Sequence, residues 1–95
     1  MRLTHQEHQA ITSIVNHACE PHALYLFGSC ADDNLRGGDI DLFLEPKYSL
    51  SLKKQIDLQH HLINVCERQV DLLVKNPGKP MQVIHQIAQQ GIRLI

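Results

Sequence analysis

The chain has 95 residues, 43% of them hydrophobic and 20% charged, with nine Lys/Arg against ten Asp/Glu and a formal net charge of −1. This length and apolar content fit a single globular domain, residues 1–95, with its own core. The lack of a long uncharged apolar run argues against a membrane span, and scattered cations argue against direct binding to a DNA or RNA backbone.

Residues 4–18 read as a helix. Thr4 with Glu7 three positions later makes a capping-box pattern, and Ala10, Ile11, Ile14, Val15 and Ala18 recur at helical spacing. Pro21 ends this segment, and His22–Phe27 reads as a short strand stopped by Gly28. A polar loop from Gly28 to Gly38 follows. A helical turn after Ser29 within it would offer free N–H groups, with the Ser29 hydroxyl, to a phosphate. The next strand runs from about Asp39 to Glu45 and is closed by Pro46.

Ser49 or Ser51 is expected to cap a second helix from about Leu52 to Glu67. Leu52, Ile56, Leu62, Ile63 and Cys66 would form its buried stripe, Leu58 and Val65 its flanks, and Lys53, Lys54, Gln55 and Gln59 its solvated side. Gln69–Val74 reads as a third strand, ended by Asn76-Pro77-Gly78. Pro80 suits the first position of a last helix, with Met81, Ile84, Ile87 and Ala88 as its stripe and Gly91 as C′. Ile92–Ile95 would add a short terminal strand or pack down. The fold class is therefore α/β (α+β): a small mixed sheet of three to four strands with helices packed on one face.

The acids are not scattered. Asp32, Asp33, Asp39, Asp41 and Glu45 fall close together with Arg36 among them. Residues i and i+2 of a strand share a face, so Asp39 and Asp41 stand side by side while Ile40, Leu42 and Leu44 turn to the core. Alternation places Asp71 on the same kind of face, opposite Val70, Leu72 and Val74. Like charges this close repel, and a bound cation is the usual remedy. Paired carboxylates beside a Gly-Ser turn point to a divalent cation and a phosphate. Seven histidines and three cysteines (Cys19, Cys30, Cys66) show no metal-ligand or disulfide spacing. They read as solvated or packing side chains of a reduced, cytoplasmic protein, whose N-terminus lacks the apolar stretch of a secretory signal.

Gly28-Ser29, nine further residues and then Asp39-Ile40-Asp41, with Asp71 on a following strand, resembles the signature of the polymerase β-like nucleotidyltransferases. From average residue usage, a Gly-Ser followed by two spaced Asp arises by chance in a chain this long at roughly the one-per-cent level or below. Length and element order look like the minimal nucleotidyltransferases within that superfamily, and the likeness spans nearly the whole chain.

The resemblance implies a two-metal Mg²⁺ site on Asp39, Asp41 and Asp71, which would also be the catalytic residues. It implies a nucleoside triphosphate, ATP, as substrate, bound by Gly28, Ser29 and Arg36. It also implies a partner, since minimal nucleotidyltransferases are commonly encoded beside a HEPN-domain RNase toxin. They act as its antitoxin by binding it and by transferring AMP to one of its tyrosines. A short chain without a separate recognition domain likewise suggests an acceptor supplied by another macromolecule. One position departs from the family pattern: many relatives carry Arg directly after the Gly-Ser, where this chain has Cys30. That departure supports an alternative, a module of the same fold that neutralises its partner by binding alone. A transferase for small molecules such as aminoglycosides is the third reading.

Overall fold

A computed structural model describes residues 3–28 and 39–95. The elements are α1 (His5–Ala18), β1 (Pro21–Phe27), β2 (Ile40–Pro46), α2 (Leu52–Cys66), β3 (Val70–Val74), α3 (Val83–Ala88) and β4 (Ile92–Arg93). The capping box forms as expected: the Glu7 N–H donates to Thr4 Oγ1 at 3.0 Å and the Thr4 N–H to Glu7 Oε1 at 2.9 Å. Ser51, not Ser49, caps α2.

The four strands form one sheet in the order β3-β2-β1-β4. β1 and β2 are antiparallel, and so are β1 and β4. β2 and β3 are parallel, and a parallel pair needs a long crossover, which α2 supplies. β4 is brief, but the Leu94 and Ile95 N–H groups extend it by donating to the Leu24 carbonyl.

Alternation along the strands sorts the side chains. Leu24, Leu26, Ile40, Leu42, Leu44 and Val70 point to one face and pack with Ile11 and Val15 of α1 and Leu58 and Leu62 of α2. This is the core that the apolar periods anticipate, and α1 and α2 cover it. Leu62 sits at its centre with no exposed surface. Leu62→Ala is expected to cost about 2–5 kcal/mol, read as a lower urea midpoint with unchanged slope.

The α2 stripe is rotated from its expected position. Leu52 and Ile56 are 71% and 43% exposed, whereas Leu58, expected on the flank, is buried. Gln55 and Gln59, expected in solvent, lie against the protein. Gln55 Nε2 donates to the Leu50 carbonyl and Gln59 Nε2 to the Val70 carbonyl, at 3.0 and 2.9 Å. β3 is an edge strand, and Gln59 supplies a donor to one of its carbonyls, so an amide faces inward where period counting favours an aliphatic.

The last helix differs more. It begins at Val83 rather than near Pro80, and its buried residues are His85 and Ala88, while Met81, Val83, Ile84 and Ile87 are exposed. His85 sets this rotation. Its Nδ1 accepts the Gln82 N–H at 3.0 Å, and its ring stacks on Phe43 with centroids 5.3 Å apart. Phe43 alternates with Leu42 and Leu44, so α3 lies on the sheet face opposite α1 and α2. Gly91 does not adopt the left-handed conformation of a C′ glycine. The helix instead ends in a tight turn, with Gln90 N–H on the Ile87 carbonyl and Gly91 N–H on that of Ala88.

Candidate active site

The α3 face of the sheet also carries the acids. Asp39 stands exposed just before β2, and Asp41 follows two residues on, partly buried. In the parallel register Asp41 lies directly beside Asp71 of β3. Three carboxylates from two places in the sequence thus meet at the start of two neighbouring strands.

Gly28 closes the group from the other side. β1 pairs antiparallel with β2 so that Phe27 faces Asp41, which brings the next residue, Gly28, against the Asp41 side chain. Gly28 has φ +72°, and a Cβ there would collide with Asp41 Oδ2. A glycine satisfies both conditions: it takes the left-handed backbone freely, and it leaves room for the carboxylate.

The electrostatics follow from this crowding. Partial burial pushes the Asp41 carboxyl above the ordinary aspartate range, and the charges of Asp71 and Asp39 push it further. A hydrogen bond between the Asp41 and Asp71 side chains acts in the same direction. Carboxylates crowded in this way repel one another, and a bound cation relieves that repulsion. Gln69 Nε2 reaches Asp71 Oδ1 at 3.4 Å and steadies it weakly. Among the described residues, no three His, Cys, Asp or Glu side chains form a ready-made metal cage. An open carboxylate pair with a third acid beside it fits Mg²⁺, which binds through one or two carboxylates and takes its other oxygens from water and substrate phosphates.

The structure therefore brings together Gly28, Asp39, Asp41 and Asp71. Ser29 and Arg36, together with Cys30, Asp32, Asp33 and the Gly37-Gly38 pair, lie outside the described residues. The sequence reading overlooked the floor of this face. Tyr25 stacks on Phe43 at 5.9 Å and Phe43 on His85, a row of rings beyond the acids. The signal was present, since Phe43 falls two residues after Asp41 and shares its face. Among the described residues, no helix is long and apolar enough to cross a membrane.

Comparison with known proteins bears on this arrangement. The family model "Polymerase beta, Nucleotidyltransferase" matches residues 9–95. A solved toxin–antitoxin structure with AMP-PNP contains a chain of similar fold, with TM-score 0.79 and 20% identity over 93% of this chain and 72% of that one. A tri-AMPylated Shewanella oneidensis HEPN toxin in complex with MNT antitoxin gives TM-score 0.76 and 20% identity over 95% and 70%. The toxin–antitoxin complex MntA-HepT gives TM-score 0.76 and 18% identity over 97% and 72%. No curated protein matches the sequence. With a family model matching nearly its whole length, and with Gly28, Asp39, Asp41 and Asp71 gathered at one end of its sheet, the chain belongs to the polymerase β nucleotidyltransferase family.

Proposed function

We propose that this chain is a Mg²⁺-dependent nucleotidyltransferase that transfers AMP from ATP to a tyrosine hydroxyl of a HEPN-type toxin. It thereby acts as that toxin's antitoxin, as a one-domain cytoplasmic enzyme. The observation that carries the reading is the register of Asp41 beside Asp71, with Asp39 two residues upstream and Gly28 against the Asp41 carboxylate. The similar folds include antitoxins in complex with HEPN toxin, one of these toxins tri-AMPylated and one toxin–antitoxin structure holding AMP-PNP, which supports the choice of nucleotide and partner.

In this reading Asp39 and Asp41 hold Mg²⁺ at the triphosphate, and Asp71 completes the metal site. When bound, the metal neutralises the triphosphate and the departing pyrophosphate. Gly28 lets the backbone approach the phosphates, which Ser29 and Arg36 contact. The acceptor oxygen attacks the α-phosphorus, the bond from that phosphorus to the α–β bridging oxygen breaks, and pyrophosphate leaves. Asp71, the most exposed end of the carboxylate pair, receives the hydroxyl proton. Cys30 in place of a fixed cation favours the second reading, neutralisation by binding alone.

The partner protein, incubated with this chain, Mg²⁺ and ATP labelled at either the α- or the γ-phosphate, separates these readings. Label from the α-position alone is expected on the partner. Label from the γ-position would mean phosphoryl transfer, and a stable but unlabelled complex would mean binding alone. Nucleotide binding should also register as stability. At one hundred times Kd, Mg-ATP adds about 2.7 kcal/mol, which raises Tm by roughly 10–20 °C in a domain of this size. Removing Mg²⁺ with EDTA should abolish most of that rise; an equal rise without the metal would contradict a role for the carboxylates in holding it.

A further inference from the structure

The face that carries Asp41 and Asp71 continues beyond them. Leu73 follows Asp71 on the same side of β3, and Lys75 comes two residues later, just past the strand's end, where its N–H still donates to the Leu44 carbonyl. About 13 Å past Asp71, counted as four strand residues, the face ends in a cavity. It has a volume of about 420 Å³, and Leu73, Lys75, Lys79, Gln82 and His85 line it.

This cavity is built to accept negative charge. His85 Nδ1 accepts the Gln82 N–H, so the neutral ring carries its proton on Nε2 as a donor. No fully buried side-chain nitrogen or oxygen among the described residues lacks a partner. Among the described residues Nε2 has no hydrogen-bond partner, so it is not fully buried where His85 lines the cavity. Lys75 and Lys79 have no acidic partner among the described residues. Glu45 shares a neighbouring cavity with Lys75 but makes no ion pair with it, its Oε1 accepting from Gln89 Nε2 at 2.8 Å. The loop that carries Lys75 and Lys79 is fixed, because the Asn76 side chain bonds both the N–H and the carbonyl of Leu50, at 2.9 and 3.1 Å. Beside the cavity, α3 exposes Val83, Ile84 and Ile87. The sheet face is thus acidic at one end and cationic at the other, with an apolar border.

We propose that this cavity receives a carboxylate side chain of the acceptor protein. The inference rests on the transfer reaction proposed above. The acceptor lies along the sheet face with its hydroxyl at Asp71 and an acidic residue, about four extended residues away, between Lys75 and Lys79; its apolar neighbours rest on α3. Two lysines and one imidazole suit a single carboxylate, whereas a nucleic-acid backbone needs a longer track of cations than this chain of net charge −1 presents.

The double variant Lys75→Glu/Lys79→Glu tests this, with Lys53→Glu on exposed α2 as control. With the HEPN-type partner as acceptor, the double variant should raise KM for the partner about tenfold, leaving kcat and KM for ATP unchanged. Lys53→Glu should change none of them. An unchanged KM for the partner would overturn the proposal, and so would an unchanged KM together with lost binding of a labelled RNA oligonucleotide, which would assign the lysines to nucleic acid. If the wild type transfers nothing, the transfer reading fails by itself, and docking is then read from the Kd of the two proteins. A tenfold weaker complex in the double variant supports the cavity as the docking site; an equal Kd overturns it.

Discussion

Asp41→Asn is expected to reduce AMP transfer by at least about 10³-fold while leaving the protein folded. Asn keeps the shape of the side chain but removes the charge that would hold a cation at the triphosphate. The pKa of Asp41 sets the second half of the expectation. Its folded value is raised by burial and by the charges of Asp71 and Asp39. A carboxyl raised on folding contributes stability that is full below the ordinary aspartate range and is lost as pH rises through the raised value. At neutral pH the wild type therefore carries unrelieved repulsion, and Asn removes it. Asp41→Asn should melt no lower than wild type at pH 7, and its stability should fall less between acid and neutral pH. Thermal melts across that range, alongside transfer rates, check both halves. A variant that loses activity because it unfolds would contradict the account.

Gly28→Ala should damage stability and activity together. The backbone there has φ +72°, and a left-handed non-glycine residue costs about 1–2 kcal/mol. In a domain of this size that lowers Tm by roughly 4–16 °C. The added methyl also collides with the Asp41 carboxylate, which must move. Displacement of a reacting group by about 1 Å costs on the order of 10²-fold in rate. Gly78→Ala is the control: Gly78 has φ +82°, but its added Cβ would meet nothing within 4 Å. It should lose stability of similar size and keep its transfer rate. If both variants were equally active, Gly28 would be a turn residue and no more.

Much of this was legible in the sequence, and particular residues explain why. The Thr4–Glu7 box, the Ile11 and Val15 positions and the Ile40–Leu44 alternation each depend on neighbours close in the chain, and all three appear as read. The Asp39–Asp41 pair was legible for the same reason, since strand alternation fixes its face, whereas Gly28 was legible from the Gly-Ser motif and owes its place against Asp41 to the β1–β2 pairing. The register that sets Asp71 beside Asp41 depends on the crossover and has no local signal. α2 and α3 misled because their amphipathic stripes are ambiguous. Gln59 faces inward to meet an edge-strand carbonyl, and His85 replaces Ile84 and Ile87 against the sheet because it caps its own helix and stacks on Phe43. Aliphatic periodicity identifies a helix, but a polar residue with a specific partner can decide which side turns in.

The most direct measurement is the intact mass of the HEPN-type partner after incubation with this chain, ATP and Mg²⁺. Addition of one or more AMP units is expected with wild type and none with Asp39→Asn. An unmodified partner in a stable complex with the wild-type chain would contradict transfer, and equal modification by Asp39→Asn would contradict the carboxylate site.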